Sequence, residues 1–312
     1  MRCAIVGGGA WGTALADLLA GAGHEVLLWA READVVEHIN QDHANPRFLS
    51  GVTLDHRVKA TMDLAQAVRD ADLVVYAAPS HVLREVVRAA APAVAAGAIQ
   101  VIATKGIEPG SLALMGDVVG GEVPGRPVVA ISGPSFAVEV ARRQPTAVVA
   151  ASRDAAASVT VQQAFSTPQF RVYTSDDLLG VELAGAVKNV MAVATGIAEG
   201  LGLGLNPRAA LITRGLAETT RLGVALGARP ETFAGLAGMG DLVLTCTGVL
   251  SRNRAVGLEV GRGRALADVM AATETVAEGV RNARTTAELA TRAGVTMPIA
   301  SAVHRVLFEG QP

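Results

Sequence analysis

The chain has 312 residues, of which 50% are hydrophobic and 18% charged, and its formal net charge is −2. This length holds one large or two ordinary domains, and the composition excludes a largely disordered chain. Basic residues do not cluster with aromatic ones, so we expect no nucleic-acid surface. The two cysteines, Cys3 and Cys246, form neither a metal-binding spacing nor a disulfide framework, which predicts no metal site and a reducing cytoplasmic location.

The first 23 residues superficially resemble a signal peptide, because one arginine precedes an apolar run. Glycines at 7 to 9 and 12, together with Asp17, interrupt that run where a signal peptide would continue it. No later stretch reaches the uninterrupted apolar length of a membrane span, so we expect no stable membrane insertion.

The opening residues have the pattern of a dinucleotide-binding turn. Arg2 to Val6 is a short apolar strand, Gly7, Gly9 and Gly12 follow as G-x-G-x-x-G, and Thr13 to Ala20 has helical composition. The three glycines would permit the tight turn, the approach of a pyrophosphate and close packing of helix on strand. The alternative is a glycine-rich turn without a ligand, against which the large ring of Trp11 argues mildly.

The second strand is predicted over Glu25 to Ala30, and its end bears on the choice of cofactor. Arg31 could pair with the 2′-phosphate of NADP, which favours NADP(H), whereas Glu32 keeps NAD(H) possible by way of the ribose 2′-hydroxyl. A solvated charged pair is the alternative interpretation. The segment from Asn45 to Leu49 is read as a loop that either covers the cofactor or only connects two elements.

Strands alternating with helices continue to about residue 175 and predict a parallel, doubly wound sheet. The further strands are predicted at Val58 to Thr61, Asp72 to Ala77, Ile99 to Ala103, Pro127 to Ser132, Thr146 to Ala151 and Arg171 to Thr174. Lys105 lies in the segment that follows the strand ending at Ala103, where an α/β sheet binds ligands, although an ordinary loop lysine fits the pattern too. Gly133 and Ser135 lie in the tight turn after another strand. We therefore predict a Rossmann-like dinucleotide-binding domain over 1–175 and an all-helical substrate-binding domain over 176–312.

A long helix is predicted from Asp176 to Leu201, with Lys188 and Asn189 in its middle. It is apolar nearly all round, which is typical of a buried helix, and a lysine is rarely buried without a partner. Small residues line the face of Lys188, leaving room for a ligand. The alternatives are a lysine that reaches the surface or one that pairs with Glu182 or Glu199.

Polar residues interrupt the apolar helices of the second half at three places. Asp241 follows a glycine-rich stretch, and Lys188 is the obvious partner for its carboxylate, although an aspartate that caps a helix is common. Ser251, Arg252 and Asn253 place a hydroxyl, a guanidinium and an amide at a predicted helix start, which suits an anion such as a phosphate, or a capped surface helix. The third interruption runs from Thr275 to Gly279.

Taken together, these motifs resemble the bacterial NAD(P)-dependent glycerol-3-phosphate dehydrogenases. The matching segments, in chain order, are the Gly7–Thr13 loop, Lys105-Gly106, Gly133 to Ala137, Lys188-Asn189, the Asn206 to Leu211 stretch, Gly238 to Leu242 and Ser251 to Asn253. The resemblance implies reversible NAD(P)H-dependent reduction of dihydroxyacetone phosphate to sn-glycerol 3-phosphate for phospholipid synthesis. It also implies a homodimer.

The resemblance further implies a role for individual residues, with Lys188 as the catalytic acid and base. The implied substrate contacts are Lys105, Gly133, Ser135, Lys188, Asp241, Ser251, Arg252 and Asn253. The implied cofactor contacts are Ala10, Trp11, Arg31, Lys105, Ala137, Arg252, Val276 and Glu278, in addition to Gly7, Gly9 and Gly12 of the glycine loop. Phe48 departs from the tyrosine that relatives often carry. A different phospho- or hydroxyacid dehydrogenase would lack the Gly238–Asp241 motif together with Ser251–Asn253. A non-catalytic nucleotide sensor would lack Lys188 and Asp241.

Overall fold

The computed structural model describes residues 1–272 and 277–312. They fall into two compact units: residues 1–104 with 115–178, and residues 105–114 with 179–312. The first contains a sheet flanked by helices and the second is helical, which confirms the predicted fold class. The segment from Lys105 to Leu114 groups with the helical unit although it lies between two strands of the sheet in the sequence.

Eight strands of the first unit form one sheet in the order β3-β2-β1-β4-β5-β6-β7-β8. The strands are β1 (Arg2–Val6), β2 (Glu25–Trp29), β3 (Val58–Thr61), β4 (Leu73–Tyr76), β5 (Ile99–Ile102), β6 (Val128–Ser132), β7 (Thr146–Ala151) and β8 (Phe170–Ser175). Every predicted strand is therefore present, with bounds within a residue or two of those expected. The central strand β4 is buried along its whole length, which explains why its sequence is a continuous apolar run.

The pairing of β6 with β7 is antiparallel, whereas we expected a wholly parallel sheet. The element that connects them, α6 (Ala137–Ala141), has only five residues. Such a helix rises about 7.5 Å, less than half of the roughly 17 Å that a five-residue strand covers. The chain therefore re-enters the sheet near the end at which β6 left it. The next strand, β8, pairs parallel with β7 after the eleven-residue helix α7 (Ala155–Phe165).

The remaining helices of the first unit follow the strands in the expected alternation. They are α1 (Ala10–Gly21), α2 (Ala33–Asp42), α3 (Leu64–Val68), α4 (Leu83–Ala90) and α5 (Met115–Glu122). Helix α1 lies over one face of the sheet, where Leu15, Leu18 and Leu19 join strand residues in the main hydrophobic core. This packing places the start of α1 at the carboxyl end of β1.

The second unit is built around α8 (Leu178–Gly200), the helix that carries Lys188. The helices that follow are α9 (Leu205–Ala225), α10 (Pro230–Ala234), α11 (Asp241–Thr247), α12 (Arg252–Gly261), α13 (Leu266–Ala271), α14 (Glu278–Arg292) and α15 (Pro298–Phe308). Helix α9 begins two residues before Pro207, which we expected at the first helical position. Proline is tolerated there because the first-turn N–H groups have no helical acceptor.

Helix α8 is long and apolar enough to cross a membrane by length and composition. However, 83% of its most apolar window is buried inside the structure. Its side chains Leu183, Val187 and Val190 belong to the core of the helical unit. The apolar character of α8 therefore reflects its position among other helices.

Glycines bring α8 and α12 into backbone contact. Cβ atoms added at Gly257 and Gly261 would lie 2.2 Å from the Val193 carbonyl oxygen and 2.3 Å from that of Ile197. Across the same contact, Cβ atoms added at Gly196 and Gly200 of α8 would lie 2.1 Å and 2.3 Å from carbonyl oxygens of α12. We call these four residues the glycine seam. No larger residue fits, so the seam sets the distance between the helix of Lys188 and the helix that begins at Arg252.

Candidate active site

The centre of the candidate site is a buried carboxylate that two amines share. Asp241 is 1% exposed, and its two oxygens accept hydrogen bonds from Lys188 Nζ and, at 2.6 Å, from Lys105 Nζ. The predicted pairing of Asp241 with Lys188 is confirmed. Thr245 Oγ1 accepts a second hydrogen bond from Lys188 Nζ at 2.9 Å. Two ammonium groups therefore meet at one buried carboxylate, an arrangement that can stabilise an oxyanion as it develops beside Lys188.

The glycine-rich stretch before α11 determines where Asp241 lies. Residues Leu236–Gly240 form a π-helical turn that leads directly into α11, so Asp241 is its first residue. Gly238 is required in this turn, because an added Cβ would lie 2.1 Å from the Phe233 carbonyl oxygen. The capping role considered for Asp241 is not observed, since Gly240 occupies the N-cap position and the carboxylate binds the two lysines.

Lys105 reaches Asp241 from a compact turn over residues 105–114. An isolated bridge joins Ile107 to Leu114, and both side chains are buried in the core of the helical unit. From α14, the Arg292 guanidinium donates to the carbonyl oxygens of Ser111 at 3.0 Å and Leu112 at 3.3 Å. These contacts explain why this turn groups with the helices and carries Lys105 with it.

Burial shifts the titration of the central pair. Removal from water lowers the pKa of Lys188 from 10.5 to about 8; the negative charge of Asp241 opposes this decrease and the positive charge of Lys105 adds to it. The pKa of Asp241 lies below its ordinary value, because the two neighbouring ammonium groups outweigh the cost of burying its charge. An amine with a pKa of about 8 is present in both its protonated and its neutral form near pH 8, so it can either donate or accept a proton.

Glu199 does not pair with Lys188, although the sequence allowed it. Its carboxylate binds Arg254 through two hydrogen bonds of 2.7 and 2.9 Å and forms an ion pair with Arg208 at 2.8 Å. It therefore ties the end of α8 to α9 and α12.

A chain of amides joins three helices beside Lys188. The backbone N–H of Gly279 donates to Asn253 Oδ1 at 2.8 Å, so the Asn253 amide nitrogen must face the other way, where it donates to Asn189 Oδ1 at 2.9 Å. Asn189 in turn donates to the Gly185 carbonyl oxygen at 3.4 Å. The network holds α8, α12 and α14 together next to the lysine.

The start of α12 has the capped form that the sequence suggested. Ser251 is the N-cap residue, and its buried hydroxyl accepts from the Arg254 N–H at 3.3 Å. Arg252 occupies the first helical position. Burial of its guanidinium lowers the pKa of Arg252, and the negative charge of Glu278, the first residue of α14, opposes this decrease. A helix N-terminus with an arginine suits an anion. Val276, the other cofactor residue expected near here, lies outside the described residues.

In the sheet unit, the G-x-G-x-x-G loop has the conformation that dinucleotide binding needs. Gly7 has φ +129°, and a Cβ at Gly12 would lie 1.9 Å from the Gly7 carbonyl oxygen, so α1 packs directly on the end of β1. At Gly9 an added Cβ would meet nothing within 4 Å. Gly9 is the N-cap of α1 and offers no side-chain cap to the first N–H groups. The open side of Gly9 and these N–H groups fit a pyrophosphate.

The other residues predicted to bind the cofactor or substrate in this unit occupy strand ends and helix starts. Ala10 and Trp11 open α1 and pack against the hydrophobic core. The side chain of Arg31, which follows β2, is 84% exposed and pairs with Glu32 at 3.0 Å. Gly133 (φ +151°) follows β6 and accepts a hydrogen bond from the Ser135 hydroxyl at 2.9 Å, and Ala137 begins α6. The conformations at Gly133 and Gly7 both disfavour any residue other than glycine.

Two buried side chains contact these sites without having been identified from the sequence. Thr245, four residues after Asp241 on α11, could have been found from the helical period, because position i+4 lies on the same face. Asn45 donates to the Gly8 carbonyl oxygen at 2.8 Å from a segment that we read as a loop. The only signal for Asn45 in the sequence is that it precedes Pro46, which is typical of the start of a turn.

Comparisons with known proteins place this geometry in one family. A protein-family model described as NAD-dependent glycerol-3-phosphate dehydrogenase N-terminus matches residues 2–158 of the sequence. The family model for the corresponding C-terminus matches residues 177–312. The glycerol-3-phosphate dehydrogenase [NAD(P)+] of Geobacter sulfurreducens is 53% identical over 316 residues, covering 100% of this chain and 94% of that protein. That of Myxococcus xanthus is 50% identical with the same coverage. The crystal structure of glycerol-3-phosphate dehydrogenase from Coxiella burnetii matches with a TM-score of 0.96 at 42% identity, over 99% of this chain and 95% of that one.

Proposed function

We propose that this chain, which belongs to the NAD-dependent glycerol-3-phosphate dehydrogenase family, catalyses the reversible reduction of dihydroxyacetone phosphate to sn-glycerol 3-phosphate with NAD(P)H. The observation that carries the proposal is the buried Lys188, held by Asp241 and Thr245 beside a second cation, Lys105. Carbonyl reduction needs a proton donor at the oxygen on which negative charge develops, and this arrangement supplies one.

In the proposed mechanism, Lys188 donates a proton to the substrate oxygen as the carbonyl becomes an alcohol. An ammonium has three N–H bonds, and Asp241 and Thr245 accept two of them, which leaves the third for the substrate. Asp241 fixes the direction of that bond, and the charge of Lys105 stabilises the developing oxyanion. In the reverse reaction the neutral amine of Lys188 removes the proton from the alcohol.

We assign recognition of the substrate phosphate to the start of α12. Arg252 would bind the phosphate, assisted by the second amide N–H of Asn253, whose other N–H donates to Asn189. Ser251 caps this helix. Binding the phosphate, which does not react, positions the carbonyl carbon for reaction. Gly133 and Ser135 are assigned further substrate contacts from the family resemblance.

The nicotinamide cofactor supplies the hydride when bound. We propose that residues 1–175 form the cofactor-binding domain and 176–312 the substrate-binding domain, with Lys105 acting alongside the latter. The open loop at Gly9 would hold the pyrophosphate, and Arg31 would pair with a 2′-phosphate, so NADP(H) is favoured over NAD(H). The residues assigned further nucleotide contacts are Gly7, Ala10, Trp11, Gly12, Lys105, Ala137, Arg252, Val276 and Glu278.

The test is a spectrophotometric assay of NADPH oxidation by the purified protein. Dihydroxyacetone phosphate should support turnover, and dihydroxyacetone, which lacks the phosphate, should not at the same concentration. Failure of dihydroxyacetone phosphate to support oxidation of either NADPH or NADH would refute the proposed function.

We further propose that the protein is cytoplasmic and homodimeric and that its product supplies glycerophospholipid synthesis. Size-exclusion chromatography with light scattering tests whether the protein is a dimer.

The two directions of the reaction should depend on pH in opposite ways. Lys188, whose pKa is about 8, must be protonated for reduction, so kcat for reduction should fall as the pH rises through this region. Oxidation needs the neutral amine, so kcat for oxidation should rise through the same region. Initial rates at saturating substrate from pH 6 to 10 measure both profiles.

Substitutions of the two charged neighbours should move these profiles in opposite directions. Asp241→Asn removes a negative charge that raises the pKa of Lys188, so the inflection should move to lower pH. Lys105→Met removes a positive charge that lowers it, so the inflection should move to higher pH. An inflection that stays in place in both variants would show that another group titrates.

Arg31→Ala should reduce the preference for NADPH over NADH. The exposed guanidinium of Arg31 can leave Glu32 and bind a 2′-phosphate instead. Breaking the Arg31–Glu32 ion pair costs little, because ion pairs at the surface contribute little free energy. We expect the ratio of kcat/KM for NADPH to that for NADH to fall by about 10-fold, corresponding to the loss of one charge-assisted phosphate contact. Arg69→Ala, at another exposed arginine of this unit, is the control. An unchanged ratio would mean that the 2′-phosphate is recognised elsewhere.

A further inference from the structure

We infer that Asn45 is a positioning residue for the cofactor, which turns the peptide between Gly8 and Gly9 so that its N–H faces the pyrophosphate. The inference rests on the proposed dinucleotide binding and adds a residue outside the glycine loop. Asn45 is 0% exposed and lies 37 residues from Gly8 in the sequence. Its contacts with the loop are therefore made only in the folded protein.

The carbonyl of Gly8 points into the protein, where two donors hold it. Asn45 Nδ2 donates to this oxygen at 2.8 Å, and Thr13 Oγ1 donates to it at 3.2 Å. Asn45 Nδ2 also lies 2.8 Å from Thr13 Oγ1, so the three groups form one closed network. Thr13, like Asn45, is 0% exposed, so water cannot replace either donor.

The orientation of this carbonyl decides where the next N–H points. In a trans peptide the C=O of one residue and the N–H of the next point in opposite directions. Because the Gly8 carbonyl faces Asn45, the Gly9 N–H faces the other side of the loop, where the space around Gly9 is open. A peptide turned the other way would present a carbonyl oxygen to the phosphates and repel them.

The Asn45 side chain cannot rotate without losing other bonds. Its Oδ1 accepts the backbone N–H of Phe48 at 3.1 Å, which requires the amide nitrogen to face Gly8. Its own carbonyl oxygen accepts the Leu49 N–H at 2.8 Å, closing the turn over residues 45–49. The turn therefore presents the Asn45 amide in one fixed direction. The sequence left two interpretations of the segment from Asn45 to Leu49, a loop that covers the cofactor or a simple connection. In our inference, the segment instead holds the Asn45 amide against the glycine loop.

The experiment measures equilibrium binding of NADPH to Asn45→Ala by the change in nucleotide fluorescence. We expect the Kd to rise by about 10-fold, since a buried carbonyl loses one donor and the loop loses its fixed orientation. Binding of 2′-phospho-ADP-ribose, which contains the pyrophosphate, should weaken by a similar factor. Binding of 2′-AMP, which lacks it, should change less than twofold.

Asn40→Ala is the matched control. Asn40 makes two hydrogen bonds of 2.9 Å, to the carbonyl oxygen and the N–H of Ala60, on a neighbouring part of the same unit. This variant also removes asparagine hydrogen bonds to the backbone, although from an exposed residue, and it should leave the Kd of NADPH unchanged. A purely structural role for Asn45 would make the two variants alike in binding, and that result would overturn the inference.

Thr13→Val provides a second variant in case Asn45→Ala does not fold. It removes the hydroxyl from the same network, so the Kd of NADPH should rise while that of 2′-AMP stays within twofold. Unchanged NADPH binding in the folded variants would overturn the inference alone. Wild-type protein that binds neither NADPH nor NADH would overturn the proposed function and the inference with it.

Discussion

Replacing Lys188 with alanine should lower kcat in both directions by roughly 10²- to 10⁴-fold, the range typical of losing a general acid or base. The Kd of the cofactor should change little, because the ammonium binds Asp241 and Thr245 on the helical unit. The fold should survive, because Asp241 keeps its hydrogen bond from Lys105 and is not left unpaired. Steady-state kinetics and NADPH titration of the same preparation measure both effects.

Two further variants make this prediction specific. Lys188→Arg keeps a positive charge but cannot release its proton near neutral pH, so oxidation of the alcohol should remain impaired. Lys59→Ala, at an exposed lysine of β3, controls for the general effect of removing a lysine and should leave kcat within twofold. Turnover within tenfold of wild type in Lys188→Ala would remove this lysine from the proton transfer.

Substituting alanine for Gly257 should destabilise the protein by about 3 kcal/mol, the upper end for a group forced into a packed interior. The added Cβ would lie 2.2 Å from the Val193 carbonyl oxygen and 3.0 Å from the Ile197 N–H, and backbone atoms cannot move aside as a side chain can. Helix α12 would have to move away from α8. The free energy of unfolding from urea titration measures the loss.

Because the glycine seam joins the helix of Lys188 to the helix of Arg252, molecules that remain folded should also use substrate poorly. We expect KM for dihydroxyacetone phosphate to rise by a larger factor than the Kd of NADPH, because the pyrophosphate loop at Gly9 is unaffected by the substitution. Gly204→Ala is the control in the same unit, since a Cβ there meets nothing within 4 Å. Equal stability of Gly257→Ala and Gly204→Ala would contradict the close contact of the two helices.

Much of the fold was predictable because its signals are local. Apolar runs marked the central strands and alternation with helices marked the outer ones, and the three glycines after β1 marked the dinucleotide loop, since a turn and a helix start depend on a few adjacent residues. The partnership of Lys188 with Asp241 followed from the cost of burying either charge alone. Their roles in the reaction remain predictions until the kinetic tests are made.

The sequence by itself determined the order of elements, the class of fold, the glycine loop and the two charged residues that need each other. Only the tertiary structure decided that β7 runs antiparallel to β6, that the turn of Lys105 packs with the helices, and that Asn45 donates a hydrogen bond to the Gly8 carbonyl oxygen. The physical reason is the range of the interactions. Backbone conformation and burial leave periodic patterns along the chain, whereas a hydrogen bond between residues 37 or 136 positions apart leaves no pattern until folding brings its donor and acceptor together.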